Sequence, residues 1–268
     1  MSMMIASAWL AILSGIPIGL QLGATGTGGG ILAVPMMVYI AGIPVQQATA
    51  MSLVIVAGSA LFGSWDYGRA GLVKGKAALA FSWAGILGSW VGAYGNVLAQ
   101  REMLLILFGI MLLLSRSLVT RHSHILAGTQ QEEYCGTRFP RTCWIKMAGL
   151  GLVIGALNGF FGVGGGFMIV PALTLILGFP SRIAIGTSLT IITLISVGGI
   201  LGHLQFGKID APLTGLVVLG GATGMFFGMR LGAVMSTSAM NRVTAAITVG
   251  VALGLIVLNT VKLLGVQL

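Results

Sequence analysis

Thr25-Gly26-Thr27-Gly28-Gly29-Gly30 interrupts a hydrophobic stretch near the amino terminus, and Phe161-Gly162-Val163-Gly164-Gly165-Gly166 interrupts another in the second half of the chain. The windows around them, 15–53 and 151–189, align without a gap and are identical at sixteen positions. That identity marks a duplication. Consecutive glycines each destabilise a helix by about 1 kcal/mol relative to alanine. Three in a row inside an apolar run are expected to break it. A break of this kind at corresponding places in two halves points to a transporter's binding site.

The surrounding composition places these breaks in a membrane. Hydrophobic residues make up 56% of the 268-residue chain and charged residues 7%, where a soluble domain carries about a quarter charged residues. Apolar runs at 4–22, 48–65, 77–98, 103–119, 183–202, 211–229 and 243–261 approach or reach the roughly 20 residues a spanning helix needs. They are too long and continuous for outer-membrane strands, which favours a helical bundle. The opening stretch of the chain lacks a basic leader and a small-residue cleavage site, and is expected to belong to the bundle. The net charge of +9 is read as the basic bias of cytoplasmic loops rather than as a nucleic-acid surface.

Each half then has one plan. The first repeat, 1–119, holds a broken hairpin at 4–43 and spans at 48–65, 77–98 and 103–119. A polar connecting loop, 120–146, leads to the second repeat, 147–268, with a broken hairpin at 147–178 and spans at 183–202, 211–229 and 243–261. If each hairpin returns the chain to its starting side, the halves are inverted. With the central loop inside, Arg69, Lys74, Lys76, Arg116, Arg121, Arg138, Arg141, Lys146, Arg182, Arg230 and Arg242 gather there, eleven against Arg101, Lys208 and Lys262. If each hairpin crosses once, the halves are parallel and the count is ten against four. The inverted arrangement obeys the positive-inside rule better. It predicts an all-α polytopic membrane protein of two inverted repeats with both termini outside. Charge alone leaves open whether each hairpin is two full spans or one re-entrant pair.

The chemistry expected at the breaks follows from what they expose. Bare N–H groups cannot be left unsatisfied in hydrocarbon, so a break sits in protein or against a wet cavity. The helix that follows begins with free N–H groups and a partial positive charge, a ready site for an anion. The candidate substrate-binding residues are Thr25, Gly26, Thr27, Gly28, Gly29, Gly30 and Ser52 in the first half, with Asn158, Gly162, Gly164, Gly165, Gly166, Thr187 and Ser188 in the second. The competing reading is that these glycines serve helix packing alone. Packing is the preferred role of Gly85, Gly88, Gly92 and their counterparts Gly221, Gly224 and Gly228, which lie along one helix face. Asp66 and His203, near the ends of corresponding spans, are candidates for proton coupling.

Other chemistries find less support. His122, His124, Cys135 and Cys143 are zinc-compatible, but their spacing fits no metal motif. The glycine runs lack the Lys-Ser/Thr pair of a phosphate loop. No embedded acid–base cluster, nucleophile–base pair or haem motif is present, so neither an enzyme nor a cofactor is expected. The expected partners are a small anion and the bilayer; a homo-oligomer stays open.

One set of spacings, doubled, carries a family resemblance. It runs Gly28-Gly29-Gly30, Pro35, Gly42-Ile43-Pro44, Ala48, Ser52-Leu53, and again Gly164-Gly165-Gly166, Pro171, Gly178-Phe179-Pro180, Ala184, Ser188-Leu189. This resembles the sulfite exporter TauE/SafE family, also called the toluenesulfonate uptake permease family, over nearly the whole chain. The resemblance implies a bacterial or archaeal inner-membrane transporter of sulfite, sulfoacetate or related sulfonates, usually moved outward. An anion channel or an uptake permease is the alternative. Met51 stands where the second copy has Thr187, and Leu22 where it has Asn158, so the two hairpins would contribute unequally.

Overall fold

The computed structural model describes residues 2–26, 29–126, 141–204, 210–235 and 237–263. Those residues form ten helices: α1 (Ser2–Thr25), α2 (Gly29–Pro35), α3 (Val45–Arg69), α4 (Gly75–Leu98), α5 (Arg101–Leu126), α6 (Arg141–Phe161), α7 (Gly166–Pro171), α8 (Ser181–Leu204), α9 (Ala211–Val234) and α10 (Thr237–Leu263). No strand occurs among the described residues. Six described helical stretches, in α3, α4, α6, α8, α9 and α10, are long and apolar enough to cross a membrane. The helices flanking the central loop run further than their apolar cores. α5 continues to Leu126 and α6 begins at Arg141, so the expected loop 120–146 is helical at both ends.

The breaks fall where glycine predicts them. Gly26 (φ 65°) and Gly162 (φ 70°) end α1 and α6 in the left-handed region. Each returns its N–H to the carbonyl one turn earlier, Leu22 at 2.7 Å and Asn158 at 2.8 Å. This is the C-terminal stop that glycine makes without a Cβ penalty. The chain then doubles back: a Cβ on Gly29 would stand 2.7 Å from Leu22 Cβ and 2.8 Å from the Ile18 carbonyl. α2 and α7 each reach a proline, Pro35 or Pro171, and continue as a π-helical turn, Met36–Ile40 or Ala172–Ile176. A proline ring displaces the i−4 carbonyl and supplies no N–H, so the ladder widens there. Helix and π turn together run Gly29–Ile40 and Gly166–Ile176. At a rise of about 1.5 Å per residue that is about 17–18 Å, short of a hydrocarbon core of about 30 Å.

Glycine also sets the helix pairing. Cβ atoms on Gly151, Gly155 and Gly159 of α6 would stand 2.2, 2.2 and 1.8 Å from the carbonyls of Phe81, Gly85 and Ser89 on α4. The duplicated positions form the second seam. Gly15, Gly19 and Gly23 of α1 would meet the carbonyls of Val217, Gly221 and Met225 on α9 at 2.2, 1.9 and 2.4 Å. Contacts advance together along both chains, so α1 runs parallel to α9 and α4 parallel to α6. Backbones this close gain dispersion and Cα–H···O contacts, which is how helices associate in lipid. Gly88 and Gly92 lie on the α4–α6 seam, Gly224 and Gly228 on the α1–α9 seam, the packing role expected of them.

α3 and α8 cross at the centre in opposite directions. Ser64 pairs with Thr190 at 2.7 Å, and Gly186, one turn before Thr190, faces Tyr67, one turn after Ser64. α3 and α9 run parallel, through Gly58 on Val218 and Gly63 on Met225. This pairing has its counterpart in α8 against α4, where Gly198 meets Ile86 and Gly202 meets Trp90 and Ala93. The principal helix pairings of one half thus recur in the other.

Candidate functional site

The two breaks meet inside the bundle. A Cβ on Gly30 would stand 1.4 Å from the Val163 carbonyl oxygen, so the start of α2 lies directly on the second break. Gly164 is wedged at the crossing of α3 and α8. Its Cβ would meet Val56 Cγ1 at 2.3 Å and Ile192 Cγ2 at 3.5 Å. Gly29, Gly30, Gly165 and Gly166 are all buried. Thr27 and Gly28 lie outside the described residues.

Each break is tied to the opposite half by a serine. Ser52 of α3 donates to the carbonyl of Gly162, and Ser188 of α8 to the carbonyl of Gly26 at 3.4 Å. The hydroxyls also point to carbonyls in their own helices, Thr49 at 2.8 Å and Ile185 at 2.8 Å. Both serines are therefore engaged with backbone. Thr187 accepts from the Lys74 N–H at 3.1 Å, which fastens the α3–α4 turn to α8. Asn158 differs. It is 1% exposed, and neither its Oδ1 nor its Nδ2 has a hydrogen-bond partner. It borders a narrow void shared with Val163, Gly165 and Phe167. An unsatisfied buried amide costs about 1–3 kcal/mol.

A cavity of about 670 Å³ reaches the first break from one end of the bundle. Its inner wall includes Thr25, Ile31 and Ile185, and its mouth Asp66, Tyr67, Arg116 and Arg182. The helix ends around this mouth carry most described basic residues: Arg69, Lys74 and Lys76 at the α3–α4 turn, Arg116 late in α5, Lys146 early in α6, Arg182 early in α8, Arg230 late in α9 and Arg242 early in α10. Arg69 stacks over Trp65 at 5.1 Å and Arg230 over Phe226 at 4.3 Å. Such aromatic–cation pairs suit a bilayer interface.

Among the described residues, the approach to the second break from the other end is filled by aromatic side chains, and the duplication shows what they replace. The cavity-lining residues Ala24, Thr25 and Thr244 have Phe160, Phe161 and Phe108 as their counterparts in the other half. Phe108 stacks on Phe161 with centroids 5.6 Å apart, and Phe160 meets Phe161 edge-on at 4.8 Å. Cavity-lining Tyr67 and Gly232 correspond to His203 and Asn96. His203 Nε2 pairs with the Gly159 carbonyl at 3.0 Å, and Asn96 donates to the Phe160 carbonyl at 2.7 Å. With Ser52 on Gly162, side chains from three helices satisfy the last turn of α6, whose carbonyls lack intrahelical partners. Asp66 and His203 therefore stand at opposite ends of the bundle, one on an open wall and one inside a seal.

Arg182, Tyr67 and the phenylalanine seal carry no signal when residues are read singly. The seal does show in the duplication, where small or hydroxyl side chains of one half align with phenylalanines of the other. Of the zinc-compatible set, Cys143 is buried on the first turn of α6. Cys135 and the side chains of His122 and His124 lie outside the described residues.

Comparison with known proteins agrees with this architecture. The sequence profile of the family "Sulfite exporter TauE/SafE" matches residues 11–255. A "Probable membrane transporter protein" of Xylella fastidiosa (strain 9a5c) is 32% identical over 254 residues, covering 94% of this chain and 95% of that protein. The "Probable membrane transporter protein YunE" of Bacillus subtilis (strain 168) is 28% identical over 85% of this chain and 88% of its own length. A similarly described protein of Methanocaldococcus jannaschii is 27% identical over 73% of this chain and 72% of its own. No solved structure matches the chain.

Proposed function

Since the chain belongs to the sulfite exporter TauE/SafE family of membrane transporters, we propose that it exports small sulfur-containing anions, such as sulfite, sulfoacetate or related sulfonates, by alternating access around the paired breaks. The observation that carries this reading is the cavity that runs from the basic end to Thr25 and Ile31 while the opposite end is packed with phenylalanine. One open and one closed approach to a common centre is what an alternating carrier needs. A channel would need both approaches open at once.

The two halves are inverted repeats in this reading. The support is directional. α1 and α3 run parallel to α9, α6 and α8 run parallel to α4, and α3 runs antiparallel to α8, so α1, α3 and α4 each oppose their counterparts α6, α8 and α9, as inversion expects. The short α2 and α7 then act as re-entrant arms, which return the chain without crossing. By the positive-inside rule the basic, cavity-bearing end faces the cytoplasm and both termini face out, in the inner membrane of a bacterium or archaeon. The cavity is then loaded from the cytoplasm. An inside-negative potential favours anion exit, by about 2.3 kcal/mol per charge for a potential of about 100 mV.

At the centre, the backbone N–H groups of the breaks and the Asn158 amide are the anion's donors. The serines hold the breaks in place rather than touching the substrate. Asp66, on the cavity wall, remains the candidate for proton coupling, and His203 is assigned to the seal. Reconstituted liposomes test the reading directly. Labelled sulfite or sulfoacetate is expected to cross with saturating kinetics, and absence of flux for every sulfur oxyanion tested would sink it.

Arg182 gives a second check. It is exposed at the mouth of the cavity, where a cation raises the local anion concentration through long-range attraction screened by salt. Arg182→Glu is expected to raise the KM for sulfite several-fold at low ionic strength and less in concentrated salt. Equal KM values at low salt would remove Arg182 from anion capture.

A further inference from the structure

We propose that Gln21 supplies a carboxamide ligand to the transported anion, a first-half amide beside the position that matches Asn158. This rests on the carrier reading above. Gln21 is 5% exposed, and neither its Oε1 nor its Nε2 has a hydrogen-bond partner. An amide buried without partners suffers desolvation with nothing returned by the protein. In a membrane protein such a group is a functional candidate with a partner still to be named.

The duplication supplies an internal control. The first half reads Gln21-Leu22 and the second Leu157-Asn158. Each half carries one amide and one leucine in this pair, in opposite order. Leucine stands at the position equivalent to each amide, Leu157 for Gln21 and Leu22 for Asn158. Both amides are nevertheless kept, one per half, and both are unpartnered.

Placement supports the same role. Thr25, on the inner cavity wall, lies one helical turn beyond Gln21 on the same face and donates its Oγ1 proton to the main-chain carbonyl of Gln21 at 2.8 Å. Gln21 is thus the next polar side chain on that face of α1, one turn deeper than the cavity wall. A neutral carboxamide offers two N–H donors to the oxygens of a sulfite or sulfonate group. It does so without the fixed charge that would hold the anion too tightly to release.

The experiment uses the purified full chain with Gln21→Met and Gln21→Leu, probed with sodium sulfite. In the absence of sulfite, both variants are expected to unfold at the wild-type temperature or above it, because an unsatisfied amide has been removed. Sulfite should stabilise the wild type but not the variants, and in liposomes their KM for sulfite should rise roughly tenfold. Lower ligand-free unfolding temperatures in both variants, or failure to fold, would show a structural amide and overturn the proposal. So would an unchanged KM together with an unchanged sulfite-induced shift. A wild type that neither binds nor carries any sulfur oxyanion would instead defeat the carrier reading, whatever the variants do.

Discussion

Gly30→Ala is expected to abolish anion flux. The added methyl would stand 1.4 Å from the Val163 carbonyl oxygen, inside covalent distance, and the obstacle is backbone rather than a side chain that can turn away. Either α2 withdraws from the second break or the break itself shifts. Both outcomes remove the facing arrangement on which the proposed anion site depends. Overpacking a tight interior typically costs about 1–3 kcal/mol, and this contact stands at the severe end. Size-exclusion and thermal unfolding separate the two routes, local displacement from global loss of fold. Gly254→Ala is the matched control. It lies on α10 with nothing within 4 Å and without a positive φ, so alanine there should preserve flux and raise helix propensity. Wild-type flux in Gly30→Ala would mean that contact between the two breaks is dispensable.

Opening the sealed end is the other change of large effect. Phe161→Thr and Phe108→Thr install the residues that the cavity already uses at the equivalent positions, Thr25 and Thr244. Removing one buried phenylalanine from a packed core costs about 3–5 kcal/mol. In a carrier, that loss falls mainly on the conformation in which the ring is packed, so the equilibrium moves toward opening at this end. The readout is a cysteine at Thr49, the counterpart of cavity-lining Ile185, in a background with both native cysteines replaced. A membrane-impermeant thiol reagent applied at the Arg101 end should leave it untouched when the phenylalanines are present and label it in either variant. Equal protection in all three proteins would show that the stack does not gate access. Asn96→Ala should act in the same direction but less strongly, since it releases the Phe160 carbonyl without opening a ring-sized void.

The breaks, the duplication and the glycine seams were readable because each follows from local backbone chemistry. Gly26 and Gly162 belong to glycine-dense stretches that a helix does not easily cross, and glycines spaced one turn apart mark a helix face before its partner is known. The pairing of α1 with α9, and of α4 with α6, was not readable. Lipid removes the hydrophobic patterning that tells a soluble helix which side faces in. The roles of Ser52 and Ser188 turn on a distinction that composition cannot make. A serine near a break serves substrate or backbone equally well until the carbonyl it faces is located. Asn158 was legible as an asymmetry against Leu22. Gln21 was not, because its counterpart Leu157 attracts no attention until the amide proves to have no partner.

The two glycine seams close at very different points in synthesis. Gly85 waits only for Gly155, one helix and a connecting segment later, but Gly19 waits for Gly221, on the last helix but one. When α6 emerges, α4 is already in the bilayer to receive it. α1, made before the other nine described helices, must wait until α9 emerges, with a row of bare backbone against lipid or an insertion chaperone. Nascent chains truncated before α9 should therefore hold α1 loosely, open to cross-linking and proteolysis. In full-length chains α1 should be locked, so that docking α9 against it is a late step in assembly.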